Sequence, residues 1–154
     1  GRASMVKLFT FIERIEGGGE APFEQGVEAF LKRHVGKGVV VLLSDFLTFG
    51  DIKRGFNRLF SVGLEIFGIQ ILGPSELDPE LSGDVRLVDC ERESMLDVSS
   101  ANDLLAIYDE HREGFARELA TLCQQRSGRF VSIGSADSLD WVLFDLLRRR
   151  GWVV

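Results

Sequence analysis

Cysteine, proline and tyrosine are scarce in this chain, at two, three and one of 154 residues. The two cysteines, Cys90 and Cys123, lie far apart and fit neither a CxxC redox motif nor a metal-ligand spacing, so they read as reduced structural thiols, with a disulfide between them left open by spacing. No apolar run approaches the ~18 residues that span a bilayer. The amino-terminal residues also lack the basic segment, apolar stretch and small-residue site of a signal peptide. The expectation is a cytoplasmic segment with no membrane contact. Basic residues are outnumbered, 18 Lys and Arg against 24 Asp and Glu, for a formal net charge of −6. Phosphate affinity comes from clustered Lys and Arg, so nucleic acid is not an expected partner. No Gly-x-Ser-x-Gly, Walker loop or Gly-x-Gly-x-x-Gly occurs, and Gly17-Gly18-Gly19 follows a helical pattern where a phosphate loop would follow a strand. A nucleotide-binding enzyme is thereby disfavoured. His34 and His111 stand alone, without a ligand or catalytic partner at useful spacing.

What the chain does have is Phe, twelve of them, and a length that allows one core. Domains of this size bury roughly 70% of the surface their unfolded chains expose. Residues 1–154 read as a single domain. Its most distinctive stretch is Gly38-Val39-Val40-Val41-Leu42-Leu43-Ser44-Asp45, continuous β-branched and aliphatic residues ending on a carboxylate. A run without polar alternation predicts a central parallel strand covered on both faces. The carboxyl ends of such strands are where open α/β sheets place ligands, which makes Asp45 a candidate site residue.

The rest of the chain arranges itself around that strand. Met5, Leu8, Phe9, Ile12 and Ile15 share one helical face, stopped by the glycine triplet; Phe23, Val27, Phe30 and Leu31 form a second after Pro22. Thr48 or Asp51 can cap a third helix carrying Ile52, Phe56, Leu59 and Phe60, with Gly63 as its stop. Leu64 to Leu72 is the next strand, giving a right-handed parallel crossover. The acidic segment from Ser75 to Asp84 reads as a loop, and Val85–Asp89 with Met95–Val98 as a hairpin. Ser100 with Asp103 predicts the start of a long helix running to about Gln125, interrupted by neither Gly114 nor any proline. Phe130-Val131-Ser132-Ile133 is a third strand. A last helix, capped by Asp137 or Ser138, would turn Leu139, Val142, Leu143, Leu146 and Leu147 inward, with Arg148 to Arg150 meeting its negative dipole end. The class is α/β, three-layered, with a mostly parallel sheet, helices on both faces and a small hairpin insertion. Doubly wound sheets begin with a strand, yet this pattern opens on two helices, as though the first strands were missing.

The order of Gly17-Gly18-Gly19, an amphipathic helix, then Val39 to Ser44 followed by Asp45-Phe46-Leu47 resembles the carboxyl-terminal part of von Willebrand factor A-like domains. It is most similar to the bacterial domain-of-unknown-function family fifty-eight, often encoded beside MoxR-type AAA+ ATPases. Leu72-Gly73-Pro74-Ser75-Glu76-Leu77 and Gly83-Asp84-Val85-Arg86-Leu87-Val88-Asp89 carry the resemblance onward. That resemblance implies a divalent cation at the carboxyl edge of the sheet, held by an Asp-x-Ser-x-Ser motif, a Thr and a late Asp. Here only the late Asp matches, at Asp45; the motif is absent and Glu20 stands where Thr is expected. Magnesium needs several oxygen ligands, so the site is incomplete and no cofactor is expected unless an upstream motif supplies the rest.

Two readings follow. The first is a non-enzymatic module that binds a protein partner at the carboxyl edge through Asp45, Phe46, Glu20 and the 75–84 segment, the MoxR-type ATPase being the partner the resemblance implies. The second is a metal- or small-ligand-dependent enzyme using Asp45 at the same edge. Against both stands a plainer role, since strand-end Asp residues commonly accept backbone hydrogen bonds in their own turn. Trp141 reads as core, or as a partner anchor. The strand's edge is expected to recruit a second copy of the chain or to be covered by the opening helix.

Overall fold

The computed structural model describes residues 2–16, 22–48, 50–88, 95–99 and 101–153. Its elements are α1 (Arg2–Ile12), α2 (Phe23–Leu31), β1 (Gly38–Ser44), α3 (Ile52–Ser61), β2 (Leu64–Leu72), α4 (Pro74–Leu77), β3 (Val85–Val88), β4 (Met95–Val98), α5 (Ala101–Gln124), β5 (Arg129–Gly134) and α6 (Trp141–Leu147). Three strands form a parallel sheet in the order β1-β2-β5, and β3 pairs with β4 antiparallel as a separate ribbon. The α/β class and the hairpin expected from the sequence are both present.

One sheet face carries most of the core. Val40, Leu42, Leu64, Ile66 and Phe130 turn toward α2, α3 and the carboxyl half of α5, where Val27, Phe56, Leu59, Leu119, Leu122 and Cys123 close over them. Phe56 lies edge-on to Phe23 and Phe46, with ring centroids 5.7 and 6.2 Å away. Each such buried ring contributes about 1.5–3 kcal/mol of transfer free energy. Gly128, just before β5, is required by close approach: a Cβ there would collide with the Ile66 carbonyl of β2. The other face is covered over β5 by Val142, Leu146 and Leu147 of α6, packed on Val131, Ile133 and Ile69.

Local chemistry explains the boundaries. Asp51 caps α3 by accepting the Arg54 N–H at 2.8 Å, and Gly63 ends that turn at φ +85°. Proline at N1 starts α4, whose Glu76 carboxylate reaches back to the Gly73 N–H at 2.5 Å. The start of the acidic 75–84 segment is thus one helical turn where a loop was expected, because Pro74 pre-sets its first residue and Glu76 satisfies the Gly73 N–H at its amino end.

Three expectations are corrected. Among the described residues β1 is an edge strand and β2 the middle one: β1 pairs with β2 alone, and Val39, Val41 and Leu43 are 54%, 54% and 65% exposed. A continuous apolar run encodes apolarity on both faces, which an uncovered strand carries equally well. The last helix is π-wound over Trp141–Leu147. Within it Val142 and Leu147 are buried while Leu143 is 37% and Trp141 46% exposed, and Leu139, just before the π turn, is 69% exposed, so none of these three is core. Finally α1 ends at Ile12, short of Ile15, and its apolar residues Met5, Leu8, Phe9 and Ile12 are exposed. Gly17 to Glu20, Cys90 and Ser100 lie outside the described residues.

Candidate functional site

The carboxyl ends of the three parallel strands bring together the turn after β1, α4 after β2 and the turn after β5. Sequence dictates the first of these. β1 runs out of apolar residues at Ser44 and Asp45, whose side chains bond the backbone just ahead: Ser44 Oγ accepts the Phe46 N–H at 3.0 Å and Asp45 Oδ1 accepts the Leu47 N–H at 3.0 Å. These paired local bonds hold Phe46 in the left-handed region at φ +60°. The turn swings the Phe46 ring under the sheet, where it is 1% exposed among Phe23, Phe56 and Phe130.

Of the residues expected to meet a partner, the structure therefore keeps Asp45 at the surface, buries Phe46, and leaves Glu20 outside the described residues. Phe46 is a core residue because a bulky side chain at positive φ persists only where the surroundings over-determine it. Leu47, one residue on, is the exposed apolar side chain of this edge, at 54%. Asp45 occupies one carboxylate oxygen in its own turn, the plainer role anticipated for it.

The second strand contributes what sequence reasoning passed over. Gln70 sits in the middle of Leu64–Leu72, 1% exposed, and its Nε2 donates to the Asp45 carbonyl at 3.0 Å. Because an amide nitrogen alone can donate to that carbonyl, Oε1 is the atom left facing away. Among the described residues it has no hydrogen-bond partner, and neither does the buried Nε of Arg112. Both residues line a small cavity of about 200 Å³ with Leu47, Leu72, Tyr108 and Phe115. A buried acceptor and a buried donor without partners each cost about 1–3 kcal/mol. The signal that pointed here was available: a single Gln inside an otherwise apolar strand.

Around the cavity the groups are held in place. The Tyr108 hydroxyl donates to the Glu76 carbonyl at 2.7 Å, tying α5 to α4, and Arg112 pairs with Asp109 at 3.1 Å. Burial raises the Tyr108 pKa, the nearby Arg112 charge lowering it in part. After β5, Asp137 Oδ2 accepts the Gly134 N–H at 2.8 Å and the Ser135 N–H reaches the Leu72 carbonyl at 2.8 Å. Asp137 thus closes the strand-end turn, whereas the sequence suggested a helix cap.

The oxygen donors of a hard-cation site do not assemble here. Among the described residues no group of three or more His, Cys, Asp or Glu side chains is placed to hold a metal. Asp45 is one carboxylate already engaged with Leu47, so the residues present do not fit the octahedral oxygen shell that the resemblance implies.

These features define a small α/β fold whose parallel sheet presents a fixed turn and an apolar notch at its carboxyl edge. The chain belongs to the family described as protein of unknown function DUF58, whose model matches residues 1–121. No curated protein matches. A crystal structure of an uncharacterized membrane spanning protein from Vibrio fischeri is similar at 14% identity and a TM-score of 0.35, with 81% of this chain and 52% of that chain covered. The chain spans about half the length of that protein. No helix among the described residues is long and apolar enough to cross a membrane.

Proposed function

We propose that the chain is a non-enzymatic protein-interaction module of von Willebrand A-like type, which binds a protein partner at the carboxyl edge of its sheet. The observation that supports this most is the adjacency of an exposed apolar residue, Leu47, to an apolar notch of about 200 Å³ lined also by Leu72, Tyr108 and Phe115. An apolar partner side chain seated in that notch covers Leu47 as well. Interfaces draw their energy from such central, desolvated contacts. Asp45 and the α4 turn form the polar rim. The partner class is a MoxR-type AAA+ ATPase, on the strength of the family resemblance.

The test is a calorimetric titration of the chain with the MoxR-type ATPase of the same organism. Saturable binding is expected, weakened at least tenfold by Leu47→Glu and severalfold by Asp45→Ala. Binding that is indifferent to both substitutions, or absent, would count against the reading.

A further inference from the structure

Net charge conceals how the fold distributes it. The three strands of the parallel sheet run the same way and α2, α3, α5 and α6 run back, so the strand starts and these helix ends meet along one edge. Lys32 and Arg33 follow α2, Lys37 precedes β1, Arg129 opens β5, and Arg148 and Arg150 follow α6. All six are exposed, and among the described residues none has a carboxylate partner. Contacts link the loops that carry them: a Cβ on Gly63 in the α3–β2 turn would lie 2.8 Å from Lys37 Cγ, and Arg129 donates to the Gly151 carbonyl beyond α6. Lys37 and Arg129 belong to strands two spacings apart, about 10 Å, close to the screening length of ~8 Å at physiological salt, so their fields add. In the last helical turns and first strand residues that meet there the carboxylates are Glu28, Glu65 and Asp145, two of them neutralised by Arg58 and Arg149.

Acidic residues gather at the other edge, where Asp45, Glu76, Asp78 and Asp137 follow the strand ends. A strand of seven residues separates the two edges by about 23 Å, more than twice that screening length. The formal charge of −6 therefore does not describe what an anion meets at the amino edge. Helix dipoles account for Lys32, Arg33, Arg148 and Arg150 one by one, but not for Lys37 and Arg129 at strand starts. Nor do they account for the aliphatic tips set among the cations: Val35, between Arg33 and Lys37, is 96% exposed, and Val62 in the α3–β2 turn is 44% exposed. The turn that carries Val35 is held in shape. The His34 ring stacks on Phe30 at 5.0 Å, its Nε2 bonds the Gly36 carbonyl at 2.8 Å, and Gly36 takes φ +108°.

We propose that this amino edge docks on an anionic lipid bilayer, its Lys and Arg side chains on headgroup phosphates and Val35 and Val62 in the interfacial layer. A headgroup region offers negative charge at its surface and hydrocarbon just beneath, the two chemistries that alternate along this edge. A nucleic-acid backbone offers the charge without the hydrocarbon. Docking of this kind needs no spanning helix. The edge lies opposite the notch beside Leu47, so the inference does not depend on the preceding proposal; docked this way, the chain turns its carboxyl edge away from the bilayer.

The test is sedimentation of the 154-residue chain with vesicles of phosphatidylcholine, alone or with phosphatidylglycerol at about 30%, in ~50 and ~300 mM NaCl. Saturable binding to the anionic vesicles is expected at the lower salt, at least tenfold weaker at the higher, with none to phosphatidylcholine alone. Combined Lys32→Ser, Arg33→Ser and Arg148→Ser is expected to weaken binding at least tenfold with Tm kept. Val35→Ser is expected to weaken it severalfold without changing its salt dependence. Lys53→Ser with Arg54→Ser shifts the net charge in the same sense at the carboxyl edge and should leave binding intact. The inference is overturned if the chain binds both vesicle types alike or neither, or if either amino-edge variant folds and binds as the wild type does. Binding to polyglutamate without binding to the anionic vesicles would assign the edge to an acidic protein and equally overturn it.

Discussion

Gln70 Nε2 donates a 3.0 Å hydrogen bond to the backbone carbonyl of Asp45, joining the middle strand to the turn that ends its neighbour. One buried amide thus anchors the turn that presents Leu47. Replacing it by Leu leaves the Asp45 carbonyl without that partner, at a cost of about 1–3 kcal/mol. Gln70→Leu also removes the unpartnered Oε1, so the diagnostic is local: exchange at the Phe46 and Leu47 amides is expected to quicken. Unchanged exchange at those amides would contradict the anchoring role.

Phe46 and Leu47 are adjacent and make opposite predictions. Phe46 is buried at 1% and Leu47 is 54% exposed. Truncating a buried Phe costs about 3–5 kcal/mol, while surface substitutions usually stay within ~0.5 kcal/mol. Phe46→Ala should therefore lower stability strongly, and Leu47→Ala should leave it unchanged while weakening partner binding. Equal effects on stability would show that the turn has been read the wrong way round.

Cys123 has no exposed surface, and burial raises its thiol pKa from 9.0 to about 11. The folded chain thus holds this proton more tightly than the unfolded chain does. Below pH 9 the group makes no difference to the pH dependence of stability; as pH rises from 9 to 11, stability contributed by the protonated thiol is lost. Denaturation midpoints of the wild type should fall across that window more steeply than those of Cys123→Ala. Alkylation of Cys123 at neutral pH should proceed at the rate of unfolding.

Magnesium or manganese should leave the Tm of this chain unchanged, because among the described residues no group of three or more His, Cys, Asp or Glu side chains is placed to hold such an ion. Ligand binding to the native state raises stability in proportion to the logarithm of concentration, so thermal shift reports it directly. A saturable upward shift, lost in Asp45→Ala, would restore the metal-dependent reading.

The order of elements was legible in the sequence because each is punctuated by residues with one physical use. Asp51 caps α3, Gly63 stops it, and Gly73-Pro74 ends β2. The place of β1 in the sheet was not legible: Val39 and Val41 are equally apolar whether or not a neighbour covers them. Phe46 misled because one positive φ reverses the direction of a side chain, and that torsion is set by the bonds Ser44 and Asp45 make. The inward set proposed for α6 assumed α-helical spacing, which π winding shifts at Leu143. Gln70 and Arg112 come together only through the packing of α5 over β2, a contact between distant parts of the chain that local periodicity does not encode.

The central claim is that a protein partner binds the carboxyl edge of the sheet, and an exchange footprint of the complex with the MoxR-type ATPase tests it most directly. Protection confined to the turn at residues 44–48, the α4 turn at 73–77 and the α5 segment around Tyr108 and Arg112 is the predicted result. Protection that leaves these three segments unchanged and appears elsewhere on the chain would contradict it.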